Sequence, residues 1–209
     1  MEGQADALFV AARVDDSNAE VSRLDRQGNL NADFGSEGTA RIRIYDVVSN
    51  LKGWHPEVRM FSGKNRLYVT GYRYSGKVSR TTLVALDQRT GAVDESFSGL
   101  SKWIESVDFS ERDSKAYVIE QVKALANGRI VLGGIYTGYK YPASYLLITA
   151  MEANGDPIES VDNRSIRRRD YEIWSVTEFL SSANKLFLVG TETTDDNSGT
   201  AAVVMRVMN

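Results

Sequence analysis

The chain has no cysteine, a single histidine and three prolines in 209 residues. Without cysteine, disulfides, thiolate nucleophiles and sulfur-ligated metal sites are excluded. His55 stands alone, so a histidine-rich zinc site cannot be assembled. A Ser/His/Asp triad would need His55, and no Gly-x-Ser-x-Gly elbow accompanies it. Apolar runs never approach the roughly 20 residues of a membrane helix. The opening Met1-Glu2-Gly3-Gln4-Ala5-Asp6 lacks the basic start and apolar stretch of a signal peptide. There is no excess of positive charge either. A net charge of -3 and a pI near 5.3 give no bulk attraction to nucleic acid or to an anionic membrane.

What is present is a repeat of short apolar runs. Gly128-Arg129-Ile130-Val131-Leu132-Gly133-Gly134 has counterparts at Ala7 to Ala12, Arg66 to Gly71 and Lys185 to Gly190. Aligned on Leu8, Leu67, Ile130 and Leu186, the four sit 56 to 63 residues apart. The runs are rich in Val, Ile, Leu, Tyr and Phe and are bounded by Gly, Asn, Asp or Ser. Helical spacing is scarce, so they are predicted strands of an all-β repeat protein.

Each full unit reads as four strands. In the second, strand A is Val58 to Phe61, B is Leu67 to Tyr72, C is Thr82 to Leu86 and D is Ala92 to Phe97. The third repeats this with Tyr117 to Leu125, Ile130 to Ile135, Tyr145 to Met151 and Pro157 to Val161. Pro157, without an N–H, suits an outermost strand. The first unit lacks strand A and the fourth lacks strand D, its runs being Ile173 to Leu180, Leu186 to Gly190 and Ala201 to Val207. Fourteen strands are therefore expected, in a single repeat domain with units near residues 1–53, 54–113, 114–170 and 171–209. Gly28, Gly91 and Gly155 mark the tight C–D turns.

Leu24-Asp25-Arg26-Gln27-Gly28-Asn29-Leu30-Asn31-Ala32-Asp33-Phe34-Gly35 resembles the signature of bacterial delta-60 repeat proteins. Leu86 to Phe97 is similar to it, and Asn127 to Gly134 resembles the family's second signature, a Gly-Lys-Ile-Val-Val-Ala-Gly strand. The resemblance weakens in the third and fourth units. It implies a β-propeller-like array of about four antiparallel blades of up to four strands, the first and last incomplete. It supplies no catalytic motif, and it implies export from a bacterium, to the periplasm or the exterior. The incomplete end units leave three readings: a piece of a longer propeller, an open propeller, or a ring completed by a second chain, with self-association through open sheet edges.

The B–C and D–A connections carry the unusual side chains and form the expected binding face. Candidate ligand-binding residues are Trp54, Tyr72, Tyr74, Tyr136, Tyr139 and Tyr141, whose rings would stack a glycan or a peptide. Arg167, Arg168 and Arg169 would grip an anion. The bland alternatives are tyrosines packed at strand ends and a solvated basic loop. Asp15-Asp16 and Asp195-Asp196-Asn197 lack the spacing of a calcium loop and read as polar turns. No cofactor or metal is expected. The composite reading is a non-catalytic binding or protein-interaction module. Its alternatives are a glycan-directed hydrolase working through acidic residues, or a structural segment of a larger surface protein.

Overall fold

The computed structural model describes residues 7–15, 17–44, 57–74, 79–98, 115–138, 144–156, 158, 165–166, 173–182, 185–193 and 200–208. They form an all-β structure, without helix among the described residues, of four separate antiparallel sheets taken in chain order. The first holds β1 (Leu8–Arg13), β2 (Asn18–Leu24) and β3 (Thr39–Arg43). The second holds β4 (Glu57–Ser62), β5 (Arg66–Tyr74) and β6 (Ser79–Asp87). The third holds β7 (Lys115–Ala124), β8 (Ile130–Gly138), β9 (Ser144–Met151) and the short β10 (Ser165–Ile166). The fourth holds β11 (Ile173–Ser182), β12 (Lys185–Thr193) and β13 (Thr200–Met208).

The aligned repeat positions share one register. Gly71, Gly134 and Gly190 fall at the same place in β5, β8 and β12, opposite Val58, Ile119 and Val176. Just after Ile119 and Val176 the ladder slips by one residue, so Glu120 and Thr177 sit in matching bulges. The bulge changes the alternation of β7, and Ile119 and Val122 both join the core shared with the second sheet. Beside them, buried Glu120 is paired with Arg59 of β4 at 3.6 Å.

Strand alternation divides the second sheet between two cores. Leu67, Val69 and Leu86, with Val58, Met60 and Val84, pack against Ala19, Val21, Ala40 and Ile42 of the first sheet. The intervening Tyr68, Leu83 and Ala85 pack with Ile119, Ile130, Leu132 and Met151 of the third. A period of two therefore puts successive residues into different interfaces. The sheets thus stack face to face in chain order, and the contacts continue from β7, β8 and β9 to β11.

Strand D differs from expectation. Leu30 and Val93 make only single bridges, to Leu24 and Leu86, before the chain turns away. The side chains of Asn31 and Asp94 accept the N–H groups of Asp33 and Ser96 at 3.1 and 3.0 Å. Their carbonyls accept the N–H groups of Phe34 and Phe97, both at 3.0 Å. These local bonds compete with the ladder and end it. In the third unit Ile158 donates to the Ala150 carbonyl, and Pro157 lies outside the described residues. The outer strand of the first and third sheets comes later, as β3 and β10, and thirteen strands are described instead of fourteen.

The turn that replaces strand D fastens consecutive sheets. Phe34 is fully buried, with its ring 5.8 Å from Phe9 of β1; at the matching positions Phe97 lies 5.8 Å from Tyr68 of β5. The next residue crosses to the following unit. Gly35 donates its N–H to the Thr90 carbonyl at 2.7 Å, and Ser98 donates to the Asn154 carbonyl at 2.8 Å. Thr90 and Asn154 each precede the turn glycine of the receiving unit, Gly91 or Gly155. A Cβ on Gly91 would lie 3.0 Å from the Phe34 ring, so the glycine gives that ring its room. Gly35, at φ 61°, is tighter still: a Cβ there would sit 2.1 Å from the Thr39 carbonyl oxygen.

Phe34→Ala should lower stability by about 3–5 kcal/mol, measured by denaturant unfolding. Gly28, at φ 87° with open space where a Cβ would project, faces only backbone strain. Gly28→Ala should therefore cost about 1–2 kcal/mol, and Gly35→Ala distinctly more. Equal losses at the two glycines would contradict the close approach at Gly35.

Candidate functional site

The proposed face is described only in part. Trp54, Tyr139, Tyr141, Arg167, Arg168 and Arg169 lie outside the described residues, as do His55, Asp16 and Asp195-Asp196-Asn197. Tyr72, Tyr74 and Tyr136 are placed by their backbone, all within strands: Tyr72 falls in the expected strand B, while Tyr74 and Tyr136 are strand residues where loop residues were expected. Tyr72 lies opposite Glu57 and Thr81, and Tyr74 opposite Ser79, so β5 and β6 pair to their ends and the connection shrinks to residues 75–78. Longer strands win because each added pair satisfies backbone groups that a loop would leave to water.

Tyr136 falls in a row that sequence reading missed. It lies opposite Tyr117 of β7 on one side and Tyr145 of β9 on the other. Three tyrosines thus occupy one cross-strand row, two positions from the end of β8 that leads into segment 139–143. Their sequence separations of 19 and 9 residues carry no period, and only the antiparallel register aligns them. Tyr72 and Tyr74 occupy other rows in another sheet, so the register does not join them to this one.

At the opposite ends of the strands, three aspartates are engaged in turns. Asp25 accepts the N–H of Asn29 and of Gln27, each at 2.9 Å, and these bonds, Asn29 first, hold its pKa below the ordinary value. Asp87 accepts the Thr90 hydroxyl at 2.8 Å and its N–H at 2.7 Å, with the same effect. Asp94 is lowered chiefly by the Ser96 hydroxyl, then by the nearby Arg66 guanidinium, with which it is ion-paired. Arg66 also donates to the Ala153 carbonyl and stands 6.0 Å over the Phe97 ring, tying the second unit to the third.

Asp15, in the β1–β2 turn, accepts N–H bonds from Ser17 and Asn18 at 2.8 and 2.9 Å. It also binds the Asn18 side chain and pairs with Arg41 at 2.8 Å. Led by the Ser17 bond, these contacts lower its pKa from 3.8 to about 2. Its oxygens are committed to the turn, which agrees with the reading of Asp15 as a polar turn residue. Among the described residues no three His, Cys, Asp or Glu side chains converge as a metal site, and no helix is long and apolar enough to cross a membrane.

No protein-family model matches the chain, and no curated protein sequence matches it.

A carboxylate with a lowered folded-state pKa stabilises the fold fully above its unfolded value and loses that contribution as pH falls through the folded value. With an ordinary value of 3.8 and Asp15 at about 2, stability should fall between about pH 4 and pH 2. Thermal melts across that range should show it. Asp87→Asn keeps an acceptor for the turn but does not titrate, so its melting temperature should fall less steeply over the same window. An acid limb of unchanged slope would remove Asp87 from this set.

Proposed function

We propose that the chain is a non-catalytic binding module built on propeller-like repeats of the delta-60 kind, exported from a bacterium, with a glycan or a protein surface as ligand. The observation that supports it best is the Tyr117–Tyr136–Tyr145 row, set at the end of the third sheet from which Tyr139 and Tyr141 follow. Tyrosine presents an apolar plane and a polar tip, which suits both sugar faces and peptide surfaces. Stacked sheets with short turns at one end and longer connections at the other are the scaffold on which such sites are carried.

The turns support the same reading. A glycan hydrolase needs a carboxyl group held protonated near neutrality as its acid. Asp15, Asp25, Asp87 and Asp94 all have pKa values displaced downward, chiefly by hydrogen bonds that build a turn. The acidic residues at these positions serve the fold.

A glycan array and a pull-down with the intact chain test the proposal. Tyr136→Ala and Tyr139→Ala should each weaken binding by about tenfold while leaving the far-ultraviolet circular dichroism unchanged. Unchanged affinity in both variants would dismiss the tyrosine face. Turnover of a bound glycan would overturn the non-catalytic reading.

A further inference from the structure

Repeat alignment assigns a partner to each face of each sheet. Leu67 and Val69 of β5 face the preceding sheet, and so do Ile130 and Leu132 of β8; all four are fully buried. The matching residues of the first unit are Leu8 and Val10. They are 59% and 45% exposed, and Leu30, bridged to Leu24 beside Leu8, is 53% exposed. The neighbouring Phe9 and Ala11 face the other way and pack toward the second sheet, as Tyr68 packs toward the third. The first sheet therefore carries Leu8, Val10 and Leu30 on the face that would receive a preceding sheet, beside Ser22 and Glu20, which lie opposite Val10 and Ala12.

The fourth sheet has apolar residues on the face that would meet a following sheet: Phe187 and Val189, both half-buried, and Val204, with Arg206 and Glu178 opposite the first two. Phe187 and Val189 of β12 match Phe9 and Ala11, the positions that face a following sheet. Val204 of β13 lies opposite Val189 and is 67% exposed. Among the described residues the fourth sheet makes no contact with the first comparable to those between consecutive sheets.

We propose that two copies of this chain associate head to tail, the open face of the fourth sheet of each packing on the open face of the first sheet of the other, to close a ring of eight sheets. The inference rests on the propeller-like reading above. A second copy is the occupant that continues the existing interface: it places Phe187, Val189 and Val204 where a preceding sheet would stand against Leu8 and Val10. The contact is heterologous, so one contact alone would leave both remaining faces bare, whereas two equal contacts close the ring. Propellers span about four to eight blades, and two arcs of four sheets reach the upper end of that range. Closure also removes the exposed apolar faces that would otherwise favour open-ended association.

Sedimentation equilibrium on the intact chain should give a species of twice 23.2 kDa. Val10→Glu and Val204→Glu should each weaken the dimer by at least roughly tenfold. Mixing these two variants should restore association, because one of the two interfaces in the mixed pair carries neither substitution; that recovery also shows both variants are folded. A monomeric wild-type chain would overturn the proposal, as would an open series of larger species. A dimer insensitive to Val204→Glu would overturn it in favour of two first sheets meeting face to face. The stacked-sheet reading is tested separately by the stability loss in Phe34→Ala. A monomer that shows this loss defeats the ring and leaves the stacking in place.

Discussion

The first sheet is tied to the second, and the second to the third, by a strut one residue wide. A phenylalanine closes an Asx turn at the end of one unit, buries its ring against its own sheet, and places the next N–H on a carbonyl of the following unit. Phe34-Gly35 reaches Thr90 in this way, and Phe97-Ser98 reaches Asn154. The donor is backbone, and the crossing residue is glycine in the first strut and serine in the second. The ring supplies apolar burial while the amide fixes the offset between sheets. Without this fixed offset, two apolar sheet faces could slide over one another at little cost.

The turns around the strut also account for three of the acidic residues. Asp25, Asp87 and Asp94 hold their turns by accepting nearby N–H or hydroxyl groups, and their lowered pKa values record those bonds. A turn whose amides are bound by a side chain keeps its carbonyl aimed at the incoming unit. Charge in this region is structural equipment, and the proposed binding face lies at the other end of the strands. There the tyrosine row of the third sheet gives the proposed binding face its position.

Stacking by repeat has a consequence at the ends of the array. An internal sheet is apolar on both faces because each face has a partner, and the alternation in β5 of Leu67, Tyr68 and Val69 shows it residue by residue. The first sheet keeps the apolar residues Leu8 and Val10 on a face with no partner in the described chain, while Ser22 stands where the second sheet has Val84. That mixture of apolar and polar residues suits an interface that forms between molecules, since the face must also tolerate water.

Local sequence was enough to specify most of the strands and the repeat register, though not β3 or β10. Alternating apolar runs bounded by turn residues act over a few neighbours, and β4 to β9 and β11 to β13 lie within a few residues of the expected runs. It also placed Phe97, and Phe34 at the matching position, at the ends of expected D strands. It misplaced strand D, because a bridge followed by an Asx turn has the same local composition as a short strand; the choice between them depends on which acceptor the backbone finds. Tyr117, Tyr136 and Tyr145 became one row only through pairing between distant strands, and the two faces of β5 acquired different partners only through stacking. Propensity acts along the chain, whereas rows, faces and struts are made by groups 9 to 56 residues apart, and tertiary packing alone brings those together.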